Sequence, residues 1–442
     1  MDCLANRSQR KALASKTAMT TIVIGGGWSG LAAAIKLCQH GETVHLFESA
    51  KQLGGRARNV QWQDKTIDNG QHLMIGAYTE MLALMTSIDI DTTQVLDRLT
   101  IDISIIDDVF PALHLSANNA LSWPLSLAWS LLKSTGLSGL LHIKKLQSSI
   151  KKLRKAEDIS VKTWLVNTKQ PERLIKQLWE PLCLATLNTP IAEASAHLLA
   201  QVIDDSLGKG KKSADLLIPK LALGDVFPAT AAEFLTRNGA EIYLQTRISE
   251  LIVSDNSITG VKTQDGQSFL ADNVIIATAP HHCASLVAGY TAITIPQSHP
   301  IITVYLQYPE HCRLPSAMQG MTGSISQWIF DRSQQHPGLM AVVISGPGKH
   351  IKMSNDKLIK LVSVEVSQYF SSLPEQPLAS LVIREKRAGF AATVGIEQNR
   401  PSVNTEIEGL WLAGDYCTNG YPATLEGAIR NGTSCAREIL SY

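Results

Sequence analysis

Thr21-Ile22-Val23-Ile24-Gly25-Gly26-Gly27-Trp28-Ser29-Gly30-Leu31-Ala32-Ala33-Ala34, followed by Thr43-Val44-His45-Leu46-Phe47-Glu48, is the stretch on which the fold turns. A β-branched run, a G-x-G-x-x-G turn and a helix of small residues make the opening of a dinucleotide-binding βαβ unit. Gly25 permits the tight turn, Gly27 lets backbone approach a pyrophosphate, and Gly30 lets the helix pack close to the strand. Trp28 and Ser29 sit inside that turn and join the expected binding set. The phosphates are expected over the helix N-terminus, where unpaired N–H groups and the helix dipole favour anions. Glu48 ends the second strand, 18 residues after Gly30, placed to accept hydrogen bonds from ribose hydroxyls. By itself this stretch leaves NAD and FAD open.

Further segments bear on that choice. Leu53-Gly54-Gly55-Arg56-Ala57 and Asp68-Asn69-Gly70-Gln71-His72 follow soon after Glu48. Near the other end stand Leu410-Trp411-Leu412-Ala413-Gly414-Asp415-Tyr416 and Pro422-Ala423-Thr424-Leu425-Glu426-Gly427. The set resembles the FAD-dependent amine oxidase and phytoene desaturase superfamily. That resemblance implies an α/β architecture, a Rossmann-like FAD-binding domain interleaved with a mixed α+β substrate domain. It implies FAD as cofactor, with Gly54, Gly55 and Arg56 along the pyrophosphate and flavin. Gly414 and Asp415 would hold the ribityl-phosphate portion, and the helix from Thr424 and Leu425 would point at the flavin pyrimidine ring. Gly70, Gln71 and His72 would lie near the flavin, and backbone near Ile248 near the adenine.

Bulk properties set limits. At 442 residues the chain is long enough for two domains, and a formal charge of +1 gives no reason to expect nucleic acid. Its seven cysteines are odd in number and contain no C-x-x-C pair, which reads as reduced intracellular thiols rather than a disulfide framework or zinc site. His281-His282-Cys283 looks metal-like, but a solvated or helix-capping role fits its place after a strand; no metal is expected. Residues 1–19 carry cations without an apolar core, so they read as a disordered extension rather than a secretory signal, with Met19 a candidate start. No run of apolar residues is long enough to span a membrane.

The expected division gives residues 20–75, 218–285 and 405–442 to the FAD-binding domain. Residues 76–217 and 286–404 form the substrate domain, the first mostly helical, the second built from apolar–polar alternation as in Ile301–Leu306 and Met340–Ile344. A sheet backing an apolar tunnel is the expected arrangement. Within the helical part, Leu121-Ser122-Trp123-Pro124-Leu125-Ser126-Leu127-Ala128-Trp129 and Leu137–Leu141 precede Lys144, Lys145, Lys151, Lys152, Arg154 and Lys155. Tryptophans and leucines followed by six cations describe either a helix on an anionic membrane surface or a core helix with a solvated face. The first alternative would place the protein in the cytoplasm, peripheral on the inner face of the cell membrane.

Trp179-Glu180-Pro181-Leu182-Cys183-Leu184-Ala185-Thr186-Leu187-Asn188-Thr189-Pro190 narrows the resemblance to the squalene-associated flavoenzymes, the hydroxysqualene dehydroxylases of bacterial hopanoid synthesis. The same string also reads as a plain helix end. The resemblance implies an isoprenoid lipid substrate, hydroxysqualene, whose allylic hydroxyl is replaced by hydrogen with electrons from an unidentified reductant. Such chemistry needs a proton donor, for which His72, Glu180 and Asp331 are candidates. A carotenoid-type desaturase runs hydride the other way; an amine oxidase lacks an obvious aromatic cage here. A Rab GDP-dissociation-inhibitor-like prenyl-binding protein is the non-enzyme alternative, opposed by the intact Gly54-Gly55-Arg56 and Gly414-Asp415.

Overall fold

The structure, a computed structural model, describes residues 19–117 and 122–441. The expected N-terminal extension, Met19 apart, lies outside the described residues, as does Leu121. Thr20–Ile24 is the central strand of a five-stranded, all-parallel sheet in the order Glu241–Tyr243, Thr43–Phe47, Thr20–Ile24, Asn273–Ile276, Leu410–Leu412. Both faces are covered, which is why these strands are nearly continuous apolar runs. Ile22 and Ile24 pack to one side and Val23 to the other. The helix Trp28–Gln39 is buried along most of its surface, between this sheet and the C-terminal helix Leu425–Ser441. Its run of alanines lets those layers approach. A three-stranded antiparallel sheet, Ile248–Ser254, Ser257–Thr263 and Ser268–Leu270, is appended, with Gly266 in the left-handed region at the turn between its last two strands.

The second body is a seven-stranded sheet in the order Ala379–Phe390, Ser298–Gln307, Leu339–Ser345, Trp328–Asp331, Met318–Met321, Asp102–Ile106, Leu113–Ser116. One face presents Tyr305, Trp328, Phe330, Ala341 and Val343 to the helical layer and the dinucleotide domain. The other presents Ile302, Val304, Leu306, Met340, Val342 and Ile344. Helix Asn355–Tyr369 covers that face with Leu358, Val362 and Val366. The expected alternation therefore fails in Leu339–Ser345, which is buried at every position. A strand covered on both faces has no use for polar alternate residues.

Two features add to that division. Residues 76–217 are mostly helical but include the strands Asp102–Ile106 and Leu113–Ser116, the former running parallel to Met318–Met321. The β-branched Asp102-Ile103-Ser104-Ile105-Ile106 outweighs the Leu/Ala/Lys-rich composition around it. The borders drawn at 75/76 and 217/218 both fall within one small sheet, where Leu216–Pro219 pairs with Met74–Ile75 and with Leu96–Leu99. The chain crosses between the bodies as paired strands, and pairing holds them together there.

Candidate active site

A cleft of about 520 Å³ opens at the carboxyl ends of the parallel strands, the position the topology of such sheets reserves for ligands. Its wall brings together Gly25, Gly27, Trp28 and Ser29 from the first turn with Glu48, and Gly54, Gly55 and Arg56 from the following loop. His72, Ile248, Gly414, Asp415, Thr424 and Leu425 complete the expected set on that wall. Gly30, Gly70 and Gln71 are not on it. Gly30 lies one turn into the helix, where an added Cβ would stand 2.0 Å from the Gly25 carbonyl oxygen and 3.1 Å from Ala277 Cβ. Its role is the close packing that shapes the turn.

The two glycine loops interlock. Gly54 N–H donates to the Gly26 carbonyl at 2.9 Å, and Gly26 N–H donates to Glu48 Oε2 at 2.8 Å. The helix starting at Trp28 has Gly27 as its N-cap and no side chain capping it. Its first-turn donors are thus open toward the cleft. The Ser29 hydroxyl is buried there without a protein partner. Open N–H groups, a free hydroxyl and a glycine-lined approach suit a pyrophosphate, so these residues fit FAD. At the opposite wall, Thr424 Oγ1 accepts from Gly427 N–H at 3.0 Å and caps the C-terminal helix.

Asp415 is buried, and its Oδ1 accepts from Arg56 Nη2 at 2.5 Å. Arg56 also donates to the Ala388 carbonyl at 2.8 Å, so it bridges both bodies across the cleft. The loop carrying Asp415 is knitted by Arg400, a fully buried guanidinium that sequence reading missed. Arg400 donates to the carbonyls of Asp415 (2.7 Å), Cys417 (2.5 Å) and Tyr421 (2.8 Å), and to Asn419 Oδ1 (2.9 Å), while pairing with Glu397. An isolated arginine outside any glycine pattern gives no sequence signal. Also missed were Thr246, Arg247 and Ala388 on the wall. Ala277, Thr278 and Ala279, which follow strand Asn273–Ile276 and which the resemblance implies lie beside the dinucleotide, are on the wall at its carboxyl end.

The Asp68–His72 segment enters the cleft from between the bodies. Asp68 accepts from Leu223 N–H at 2.6 Å with its side chain and from Tyr305 Oη at 2.9 Å with its carbonyl. Burial pushes the Asp68 carboxyl up to about 6. Burial, with the Arg56 cation adding to it, pushes His72 down to about 4. Burial thus favours the neutral imidazole, so as a candidate proton donor His72 would first have to take up a proton. Beside it, Gln71 buries both its amide oxygen and nitrogen without a protein partner.

Glu180 and Asp331 are not brought to the cleft wall. Asp331 accepts from Leu314 and Ser333 N–H groups, both at 2.8 Å, and so fixes a turn. Glu180 starts the helix Glu180–Leu187, directly after a π-helical segment, Ile175–Trp179. The 179–190 string acts as a clasp. Asn188, left-handed at φ 50°, ends the helix, accepts from Gly346 N–H at 2.6 Å and donates to the His299 carbonyl at 3.2 Å. Thr189 Oγ1 accepts from Ala392 N–H at 2.9 Å. His281 and His282 stack at 4.1 Å in helix Pro280–Val287, and His282 lines the cleft. Among the described residues no group of three or more potential ligands could hold a metal ion.

Comparison with known proteins adds the following. Residues 28–440 match the family model described as flavin containing amine oxidoreductase. A hydroxysqualene dehydroxylase of Rhodopseudomonas palustris is 29% identical, covering 96% of this chain and 98% of its own. The hydroxysqualene dehydroxylase of Zymomonas mobilis is 28% identical, covering 96% and 99%. Among solved structures, an oxidoreductase from Methanosarcina mazei superposes with a TM-score of 0.71 at 16% identity, over 96% of this chain and all of that one. That last likeness concerns the fold alone.

Proposed function

The chain belongs to the flavin containing amine oxidoreductase family and is an FAD-dependent oxidoreductase, and from that premise we propose that it reductively removes the allylic hydroxyl of hydroxysqualene to give squalene, as a step of hopanoid synthesis. Full-length similarity to proteins of that name supports the substrate class. The observation in this chain that carries the reading is His72, which lies on the cleft wall and is held toward its uncharged form by burial. A neutral imidazole donates at one ring nitrogen and accepts at the other, which suits a neutral hydroxyl, itself a donor and an acceptor.

When bound and reduced, FAD supplies the hydride that replaces the lost hydroxyl. This chain's residues supply the surroundings. His72, on the cleft wall, would orient the hydroxyl by hydrogen bonding. The proton that leaves with the oxygen as water comes from solvent, because a neutral imidazole is a poor acid. Bulk water must be kept from the allylic cation, which it would otherwise capture.

Anaerobically reduced holoenzyme mixed with hydroxysqualene should reoxidise and yield squalene, with deuterium from labelled reduced flavin at the carbon that lost oxygen. If hydroxysqualene leaves the flavin reduced while a polyene precursor reduces the oxidised enzyme, the protein is a desaturase and this reading fails.

A further inference from the structure

The helix Trp123–Leu153 wears its polarity the wrong way round for a soluble surface helix. Ser126, Ser130 and Ser134, spaced by four, face inward. Ser130 Oγ donates to the His114 carbonyl at 2.8 Å and accepts from Ser116 N–H at 3.0 Å. Ser134 Oγ donates to the same carbonyl and accepts from His114 N–H, both at 3.1 Å. The hydroxyls thus close the free edge of the seven-stranded sheet, which an edge strand needs. Outward, the same helix shows Leu125, Trp129, Leu137 and Leu141, which are 60%, 46%, 64% and 57% exposed.

The second half adds charge. Lys144, Lys145, Lys151, Lys152 and Lys155 are exposed and have no ion-pair partner among the described residues, whereas Arg154 pairs with Asp204 at 3.1 Å. No acidic residue occurs from Val109 to Ala156, although the whole chain carries only +1. Gly136, at φ 70° and ψ 177°, breaks the helix between Trp123–Thr135 and Leu137–Leu153. Among the described residues no helix is long and apolar enough to cross a membrane.

We propose that this kinked helix docks the protein on an anionic lipid bilayer surface, with Leu125, Trp129, Leu137 and Leu141 entering the interface and the lysines resting on headgroups. Apolar projection and cationic excess along the same kinked helix match that occupant in both respects. A neutral protein partner would leave the lysines unanswered. The inference does not depend on the proposed reaction: it concerns where the protein sits.

Holoenzyme is sedimented with vesicles of phosphatidylcholine alone and of phosphatidylcholine with phosphatidylglycerol. Binding is expected to the anionic vesicles and to weaken with salt. Replacing Lys144, Lys145, Lys151 and Lys152 together by Gln should lower partitioning on the order of a thousandfold at low salt. Leu137→Asp with Leu141→Asp should lower it by tenfold or more, with salt sensitivity retained. Retained flavin certifies folding of each variant. If a variant loses flavin, wild-type emission quenched by brominated acyl chains, with that quenching lost in Trp129→Phe, tests the same contact. Equal binding by all variants, no vesicle binding, or a lipid-free dimer that Leu137→Asp dissolves would each overturn the proposal.

Discussion

Two loops hold opposite ends of the same cleft, and they are built on different principles. The turn Gly25–Gly30 is shaped by what its residues lack: at Gly30 there is no space for a Cβ against the Gly25 carbonyl. The loop Gly414–Tyr421 is shaped by what another residue supplies, since Arg400 gathers carbonyls of Asp415, Cys417 and Tyr421 around one buried cation. A steric requirement leaves a spaced glycine pattern in the sequence. A requirement met by a side chain arriving from elsewhere leaves a single letter.

The comparison breaks first at Arg400. Arg400→Met leaves several buried carbonyls without their donor and takes the cation from Glu397 Oε1, a loss of roughly 3–5 kcal/mol for a broken buried charge network. We expect a large fall in Tm and purified protein without flavin. Arg400→Lys should rescue little, because an ammonium cannot reproduce the planar fork. If Arg400→Met keeps its flavin, the C-terminal loop is held by its own backbone after all, and the contrast between the loops disappears.

Gly30→Ala tests the other side. A methyl group at 2.0 Å from a backbone oxygen must displace the turn, at about 1–3 kcal/mol or more. The expected signature differs from that of Arg400: the fold survives by circular dichroism while flavin content collapses. Asp415→Ala sits between the two, removing the partner of Arg56 at 2.5 Å. A charge-assisted bond of about 1.5–3 kcal/mol corresponds to roughly a ten- to hundredfold loss of FAD affinity, read by dialysis and fluorescence of released flavin.

His72 sharpens the contrast through pH. Its folded value, about 4 from the burial that disfavours charge, lies below its ordinary unfolded value. Between these the unfolded chain binds more protons, so stability is full above the unfolded value and is lost as pH falls toward 4. Through this one group the loss amounts to up to about 2 kcal/mol between pH 6.5 and 5. His72→Phe should flatten the acid side of Tm against pH and retain FAD. An unchanged acid slope would mean that His72 is not held neutral.

What the sequence made legible follows the same division. Thr20–Ile24 and the helix from Trp28 were readable because backbone geometry constrains residue type there, whereas the Gly414-Asp415 end of the cleft was readable only through its resemblance to a known family. The strands Asp102–Ile106 and Leu113–Ser116 were not: they pair locally with each other, but the strand that ties them into the sheet, Met318–Met321, lies more than 200 residues downstream, and short β-branched runs compete with helical surroundings. The candidate acids show the limit most plainly. Glu180 and Asp331 were chosen by residue type, and only tertiary structure could show that Asp331 fixes a turn and that neither lines the cleft.

Glu180→Gln should have the smallest effect. Burial raises the Glu180 carboxyl, opposed by Lys176, so at neutral pH its charge sits where the fold would prefer a neutral group. For a carboxyl raised in the folded state, the favourable contribution is complete below the unfolded value and is lost as pH rises through the folded one. The amide removes that unfavourable charge while keeping the shape. A change within about 0.5 kcal/mol, on the stabilising side at pH 7.5, is therefore expected. Turnover of reduced enzyme with hydroxysqualene should be unchanged, because the carboxylate lies off the cleft wall and has no path to the departing oxygen. A variant with full flavin content and reoxidation slowed a hundredfold would make Glu180 the proton donor after all. It would also mean that the helical layer carrying the 179–190 clasp moves toward the cofactor during the reaction.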